Sequence, residues 1–173
     1  MLGIRPATHA DLAAVQRLGL VTYRTHFTYL WQRPEEMEEF LAGDFSDEAL
    51  ARSLADARTG WLLALEDGRP VGYAKLNFDQ TVPHSTRPGC ELQKIYFLEE
   101  CVGRGYGSRL LEHVMRTASE RGQPYLWLKI VKDNDAAARF YARHGFTVVG
   151  ESDVRSQSQT IELRVMGREL AAP

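Results

Sequence analysis

The stretch CVGRGYGSRLL, residues 101–111, sets glycines at alternate positions, Gly103, Gly105 and Gly107, directly ahead of a run with helical spacing. Glycine lowers helix stability by roughly 1 kcal/mol relative to alanine, so its use at a helix start points to a need for bare backbone. The first turn of a helix leaves N–H groups without intrahelical partners, and the helix dipole makes that end positive. A phosphate is held there by several N–H groups at once, and glycine lets it approach without meeting a Cβ. Arg104 adds a cationic side chain. The same run also fits a tight strand-to-helix turn whose glycines serve packing.

The spacing is not that of a dinucleotide-binding GxGxxG loop, because Ser108 stands where the third glycine belongs after Gly103 and Gly105. No GK[ST] triplet occurs in the chain, which removes the Walker loop. Working outward, CELQKIYFL (90–98) reads as the strand before the glycine loop. Its alternation places Glu91, Gln93, Ile95 and Phe97 on one face. Residues 105–121 read as the helix after it, with Leu110, Leu111, Val114, Met115 and Ala118 forming one apolar stripe. PYLWLKIV (124–131) is nearly continuous apolar, as in a central strand. DNDAAARFYARHG (133–145) follows as a helix capped by Asp133 or Asn134 and ended by Gly145.

Upstream, GIRPAT (3–8) reads as a first strand, and Thr8 with Asp11 has the spacing of a capping box before a helix carrying Leu12, Val15, Leu18 and Tyr23. Two short helices are expected over 34–42 and 46–57. A hairpin over 60–78 turns at Asp67-Gly68, a pair suited to a type I′ turn. FTVVGES and TIELRVMG close the chain as an antiparallel pair. The expected fold class is a mixed α/β domain over 1–173, with about seven strands in a central sheet flanked by helices.

Composition agrees with one ordinary domain: 173 residues, 44% hydrophobic and 25% charged. A net charge of -2 argues against nucleic acid as the main partner. Cys90 and Cys101 have neither disulfide-framework nor zinc spacing. The start, MLGIRPATHADL, has no basic segment followed by an apolar run, and no apolar run approaches the ~20 residues that cross a bilayer. The expectation is a cytoplasmic protein with no membrane partner. The five histidines show no HxH or HExxH spacing, so no metal is expected.

Two motifs carry a family resemblance. VGRGYG (102–107) resembles the [QR]-x-x-G-x-[GA] coenzyme A loop of the Gcn5-related N-acetyltransferase (GNAT) superfamily, with Val102 standing in the Gln/Arg position. NDAAARFYARHGF (134–146) resembles the superfamily's N-x-x-A-x-x-[FL]-Y-x-x-x-G-F stretch at every specified position. ELQKIYFLEE, the helical insert at 34–57 and SQTIELRVM are further similar to bacterial spermidine/spermine N-acetyltransferases.

The resemblance implies acetyl-CoA as co-substrate and direct acetyl transfer to a primary amine in a ternary complex, with no metal. A polyamine such as spermidine or spermine is the first acceptor, and peptide or protein amines the alternative. A non-catalytic coenzyme A-binding module is the other reading. A homodimer is left open. The cofactor residues it implies are Ile95, Tyr96 and Phe97 on the strand, then Val102, Gly103, Arg104, Gly105, Tyr106, Gly107 and Ser108 in the loop and first helical turn, and Asn134.

Tyr141 falls at the superfamily's general-acid tyrosine, seven residues after Asn134 and so near the same helix face. A phenol can protonate a departing thiolate of comparable basicity; a core aromatic beside Phe140 is the plain alternative. Glu91 aligns with a glutamate that some relatives use as base, and a solvated strand-end carboxylate is its alternative. From Glu35 to Glu48 there are seven acids (Glu35, Glu36, Glu38, Glu39, Asp44, Asp47, Glu48) and no Lys or Arg. Such a run either forms a rim that attracts a polycation or is an ordinary solvated helix face.

Overall fold

The structure, a computed structural model, describes residues 1–172. Seven strands form one sheet in the order β1 (Leu2–Pro6), β2 (Thr59–Glu66), β3 (Arg69–Asn77), β4 (Cys90–Phe97), β5 (Tyr125–Val131), β7 (Thr160–Glu169), β6 (Thr147–Arg155). Every neighbouring pair is antiparallel except β4 and β5. The β2–β3 turn carries positive φ at both Asp67 (49°) and Gly68 (83°), the conformation of a type I′ turn.

Five helices complete the fold: α1 (Leu12–Phe27), α2 (Pro34–Phe45), α3 (Asp47–Ala55), α4 (Tyr106–Glu120) and α5 (Asp135–Arg143). Asp11 accepts from the backbone of Thr8 at 2.8 Å and from Arg5, which secures the entry to α1. The ring of Phe45, at the end of α2, packs against Trp61 and Tyr73, so α1–α3 cover one face of β2 and β3. Leu110, Leu111, Val114 and Ala118 of α4 are buried on the other face. The helices are therefore where the spacing places them; α2 runs three residues longer than expected and α3 two residues shorter at its end. Among the described residues no helix is long and apolar enough to cross a membrane.

Two irregularities shape the centre of the sheet. First, Leu76 pairs with Leu92 but its neighbour Lys75 pairs with Lys94, so Gln93 is an extra residue in β4. A bulge of this kind shifts the side-chain alternation by one position. Glu91, Lys94 and Tyr96 share the face under α1 and α2, whereas Ile95 and Phe97 turn toward α4, where the Phe97 ring lies 6.0 Å from Tyr106. Simple alternation had grouped Glu91 with Ile95 and Phe97; the bulge corrects that grouping.

Second, β4 and β5 pair only at Cys90 with Leu126 and Glu91 with Trp127. Beyond that point the two strands separate, and the sheet opens into a gap at their C-terminal ends. Parallel neighbours joined by a helix place a ligand crevice at this end of their strands.

Candidate active site

The gap leads into a cavity of about 590 Å³. Its lining comes from β4 (91–97), β5 (128–131), α5, the first turn of α4, and, across the sheet, α1, α2 and the β6–β7 hairpin. The cavity therefore runs through the split sheet from the α4/α5 side to the α1/α2 side.

On the α4 side lies the glycine loop. Gly103 and Gly105 have φ of +81° and +76°, and Gly105 is the N-cap of α4. A side chain at either position would meet no atom within 4 Å, so crowding does not explain these glycines. The left-handed backbone does, since it costs other residues about 1–2 kcal/mol. Among the described residues, the N–H groups of Gly103, Arg104 and Gly105 make no backbone hydrogen bond, and those of Tyr106, Gly107 and Ser108 belong to the open first turn of the helix. Six successive amides at the positive end of α4 thus lack intrahelical partners.

Side chains around the loop are engaged with one another. Arg104 is held by Glu66, Nη2 to Oε1 at 2.6 Å, and the Tyr106 hydroxyl donates to the same carboxylate. The free cation expected at Arg104 is thus partly neutralised. Val102 is 61% exposed and carries no polar group, which leaves main chain as the principal anion-binding surface of this loop. Ser108 Oγ lies 3.0 Å from His144 Nε2, joining α4 to the end of α5.

Along the gap, β4 pairs with β3 at Ile95, Tyr96 and Phe97, but its other edge has no strand partner. An extended ligand in the gap would meet an unpaired strand edge there. The Phe97 carbonyl lies 3.3 Å from His26 Nε2. Asn134 caps α5 by accepting from the Ala137 N–H at 3.1 Å, and its side chain also borders the cavity.

Tyr141 is buried and borders the cavity, with its ring 5.1 Å from Phe140 and 5.5 Å from Phe146. Burial alone raises its phenol above the ordinary value, so the hydroxyl keeps its proton through neutral and mildly alkaline pH. Glu91 also faces the cavity. Asn77 Nδ2 donates to its Oε2 at 2.9 Å, Lys129 Nζ lies 3.8 Å from Oε1, and the side chain is 13% exposed. It is not the solvated strand-end carboxylate of the plain reading. Burial pushes the Cys90 thiol up to about 12, and neither cysteine borders the cavity, so no thiol is placed to carry an acetyl group.

Several lining residues escaped the sequence reading. Lys94 is buried, its Nζ 2.7 Å from Asp44 Oδ2 of α2. Tyr23, Phe27 and Phe40 form an aromatic wall, with centroids 4.9 Å (Tyr23–Phe27) and 5.3 Å (Tyr23–Phe40) apart. Val154, Ile161 and Leu163 close the opposite side from the terminal hairpin. That hairpin is tied to the start of α2: Gln159 accepts from the Gln32 N–H at 2.7 Å and donates to the Leu30 carbonyl at 2.7 Å, while Glu36 accepts from Ser158.

The sequence signature described as the acetyltransferase (GNAT) family matches residues 24–146. An uncharacterised N-acetyltransferase of Mycobacterium tuberculosis is 35% identical over 139 residues, 79% of this chain and 84% of that protein. The structure of PaiA N-acetyltransferase from Thermoplasma acidophilum in complex with coenzyme A superposes with a TM-score of 0.78 at 18% identity, covering 98% of this chain and 99% of that one. YncA acetyltransferase from Salmonella typhimurium, with its cofactor acetyl-CoA, superposes at 0.67 with 24% identity over 98% of this chain and 94% of that one. The chain thus belongs to the acetyltransferase (GNAT) family and is an N-acetyltransferase by class.

Proposed function

We propose that this protein transfers an acetyl group from acetyl-CoA directly to a primary amine, with both substrates meeting in the cavity that crosses the split sheet. The observation that carries this reading is the cavity itself: it joins the α4/α5 side, where the glycine loop begins, to the aromatic wall of α1 and α2, with Tyr141 and Glu91 both on its lining. Acetyl-CoA supplies an activated acyl carbon and coenzyme A as leaving group. The residues present fit it: the amides of 103–108 suit a diphosphate, and the unpaired edge of β4 at 95–97 suits an extended amide-bearing arm.

The protein's own contributions are protonic and positional. An amine reaches the site mostly as its ammonium form at neutral pH, and Glu91 takes its proton, directly or through water. Asn77 and Lys129 hold that carboxylate in place. Tyr141, kept neutral by burial, gives its proton to the departing sulfur. An unpaired β4 amide is available to the thioester oxygen in the manner of an oxyanion hole.

The polyamine acceptor expected from the acidic run draws less support from the fold than from the sequence. Four of the seven acids have protein partners: Glu38 with Arg24, Asp44 with Lys94, Glu36 with Ser158, and Asp47 with Gln16. Glu35, Glu39 and Glu48 are exposed and have no such partner among the described residues.

Release of coenzyme A thiol from acetyl-CoA in the presence of amines tests the reading. Tyr141→Phe is expected to lower kcat by roughly 10²- to 10⁴-fold, the range for loss of a general acid, with the KM for acetyl-CoA nearly unchanged. Unaltered kcat in that variant would remove Tyr141 as the acid. Absence of thiol release with every amine tested would favour the non-catalytic coenzyme A-binding module.

A further inference from the structure

The acceptor half of the cavity has its own charge pattern. Lys94 is 6% exposed, yet among the described residues its ammonium makes one hydrogen bond, to Asp44. Its other close neighbour is the face of Phe45, 5.2 Å away. An ammonium has three donors, and a buried donor without a partner is costly. Lys94 therefore borders the cavity with hydrogen-bonding capacity to spare.

The surrounding charges make the same point. Lys75 pairs with Lys94 across the strands, and Lys129 borders the cavity beside Glu91. Among the lining residues two ammonium groups, Lys94 and Lys129, thus face two carboxylates, Asp44 and Glu91, while the Lys75 ammonium lies 5.4 Å from the centre of the Trp61 ring. The lining therefore has no excess of negative charge to gather a polycation, and the remaining donors of Lys94 favour an acceptor that carries an anionic group of its own. The walls are apolar: Tyr23, Phe27, Leu30, Phe40, Ile161 and Leu163.

We propose that the acceptor is an α-amino acid with an apolar side chain, its carboxylate on the Lys94 ammonium, its amine at Glu91 and its side chain against the aromatic wall. The bulge at Gln93 makes this geometry available by bringing Glu91 and Lys94 onto one face of β4, about 7 Å apart along the strand. An α-amino acid carries its amine and carboxylate on one carbon and so can bond to two groups set at neighbouring same-face positions of a strand. In the reaction the α-ammonium gives one proton to Glu91 and loses a second as the C–N bond forms, the acyl C–S bond breaks, and the sulfur takes up one proton from Tyr141, so that one proton is released overall. The products are an N-acetyl amino acid and coenzyme A. Lys94 acts here as a specificity residue. This inference rests on the amine acetyltransferase reading of the same cavity.

The test is thiol release from acetyl-CoA with L-phenylalanine, L-phenylalaninamide, phenethylamine and spermidine. The expected kcat/KM for L-phenylalanine exceeds that for phenethylamine and for the amide by roughly tenfold or more, the worth of one charged hydrogen bond. In Lys94→Met that ratio falls toward one. Should the single variant not fold, the double variant Lys94→Met with Asp44→Leu removes the pair without stranding a carboxylate, and the same collapse is expected. Equal or better turnover of phenethylamine, the amide or spermidine by the wild type overturns the inference and leaves the acetyltransferase reading intact. An unchanged ratio in the variants overturns it as well. Absence of thiol release with all four acceptors overturns the inference, and absence of release with peptide amines as well overturns the amine-transfer reading of this cavity.

Discussion

Tyr141 and Glu91 divide the proton work, and their surroundings explain the division. Tyr141 sits among Phe140 and Phe146 with no charged partner, so burial alone sets its acidity and it stays a donor. Glu91 has a neutral donor on one oxygen and an ammonium near the other, contacts that orient the carboxylate. Glu91→Gln retains the contact with Asn77 but cannot accept a proton. Its kcat/KM with a strongly basic acceptor is expected to fall by roughly 10²-fold or more. With a weakly basic amine, already deprotonated on arrival, the loss should be much smaller. Equal losses for both, measured by thiol release, would assign Glu91 a structural role. Tyr141 and Asn134 were legible in the sequence because both stand in one contiguous motif. Asp44 and Lys94 were not: they lie 50 positions apart and meet only when α2 is laid over the sheet. Asp44 therefore read as one more acid in a charged run.

Among the elements, the helices and turns followed from local chemistry. The Thr8–Asp11 box, the Asp67-Gly68 turn, the Asn134 cap and the apolar stripe of α4 all stand as the sequence indicates. Strand β4 did not, because nothing in its composition marks Gln93 as an inserted residue. Its bulge is a property of the pairing with β3. The seating of α2 over the sheet is equally non-local. A Cβ at Gly19 of α1 would lie 2.1 Å from the ring of Phe45, the residue that follows Asp44. Gly19→Ala must therefore displace Phe45, at a cost of about 1–3 kcal/mol for an overpacked core. Urea denaturation is expected to show that loss, and steady-state kinetics a rise in acceptor KM that exceeds any rise in the KM for acetyl-CoA. Full stability with unchanged acceptor KM would show that α2 does not depend on this contact.

For the molecule as a whole, the decisive feature is a sheet that stops pairing in its middle. Five of the six strand junctions are antiparallel and well paired, and the sixth is parallel and holds for only two residue pairs. Leaving strand edges open in a protein interior is unfavourable unless something satisfies them. A backbone-binding substrate is the occupant that the glycine loop at one end and the tyrosine at the other both suit. The sequence announces the loop and the tyrosine as separate motifs. It does not announce the gap, since CELQKIYFL and PYLWLKIV each read as complete strands.

A crystal structure with bound coenzyme A tests this most directly. The expected result is a diphosphate on the amides of residues 103–108, the pantetheine arm between β4 and β5, and the sulfur within hydrogen-bonding reach of the Tyr141 hydroxyl. A coenzyme lying outside the gap, or a sulfur facing away from Tyr141, would contradict the account.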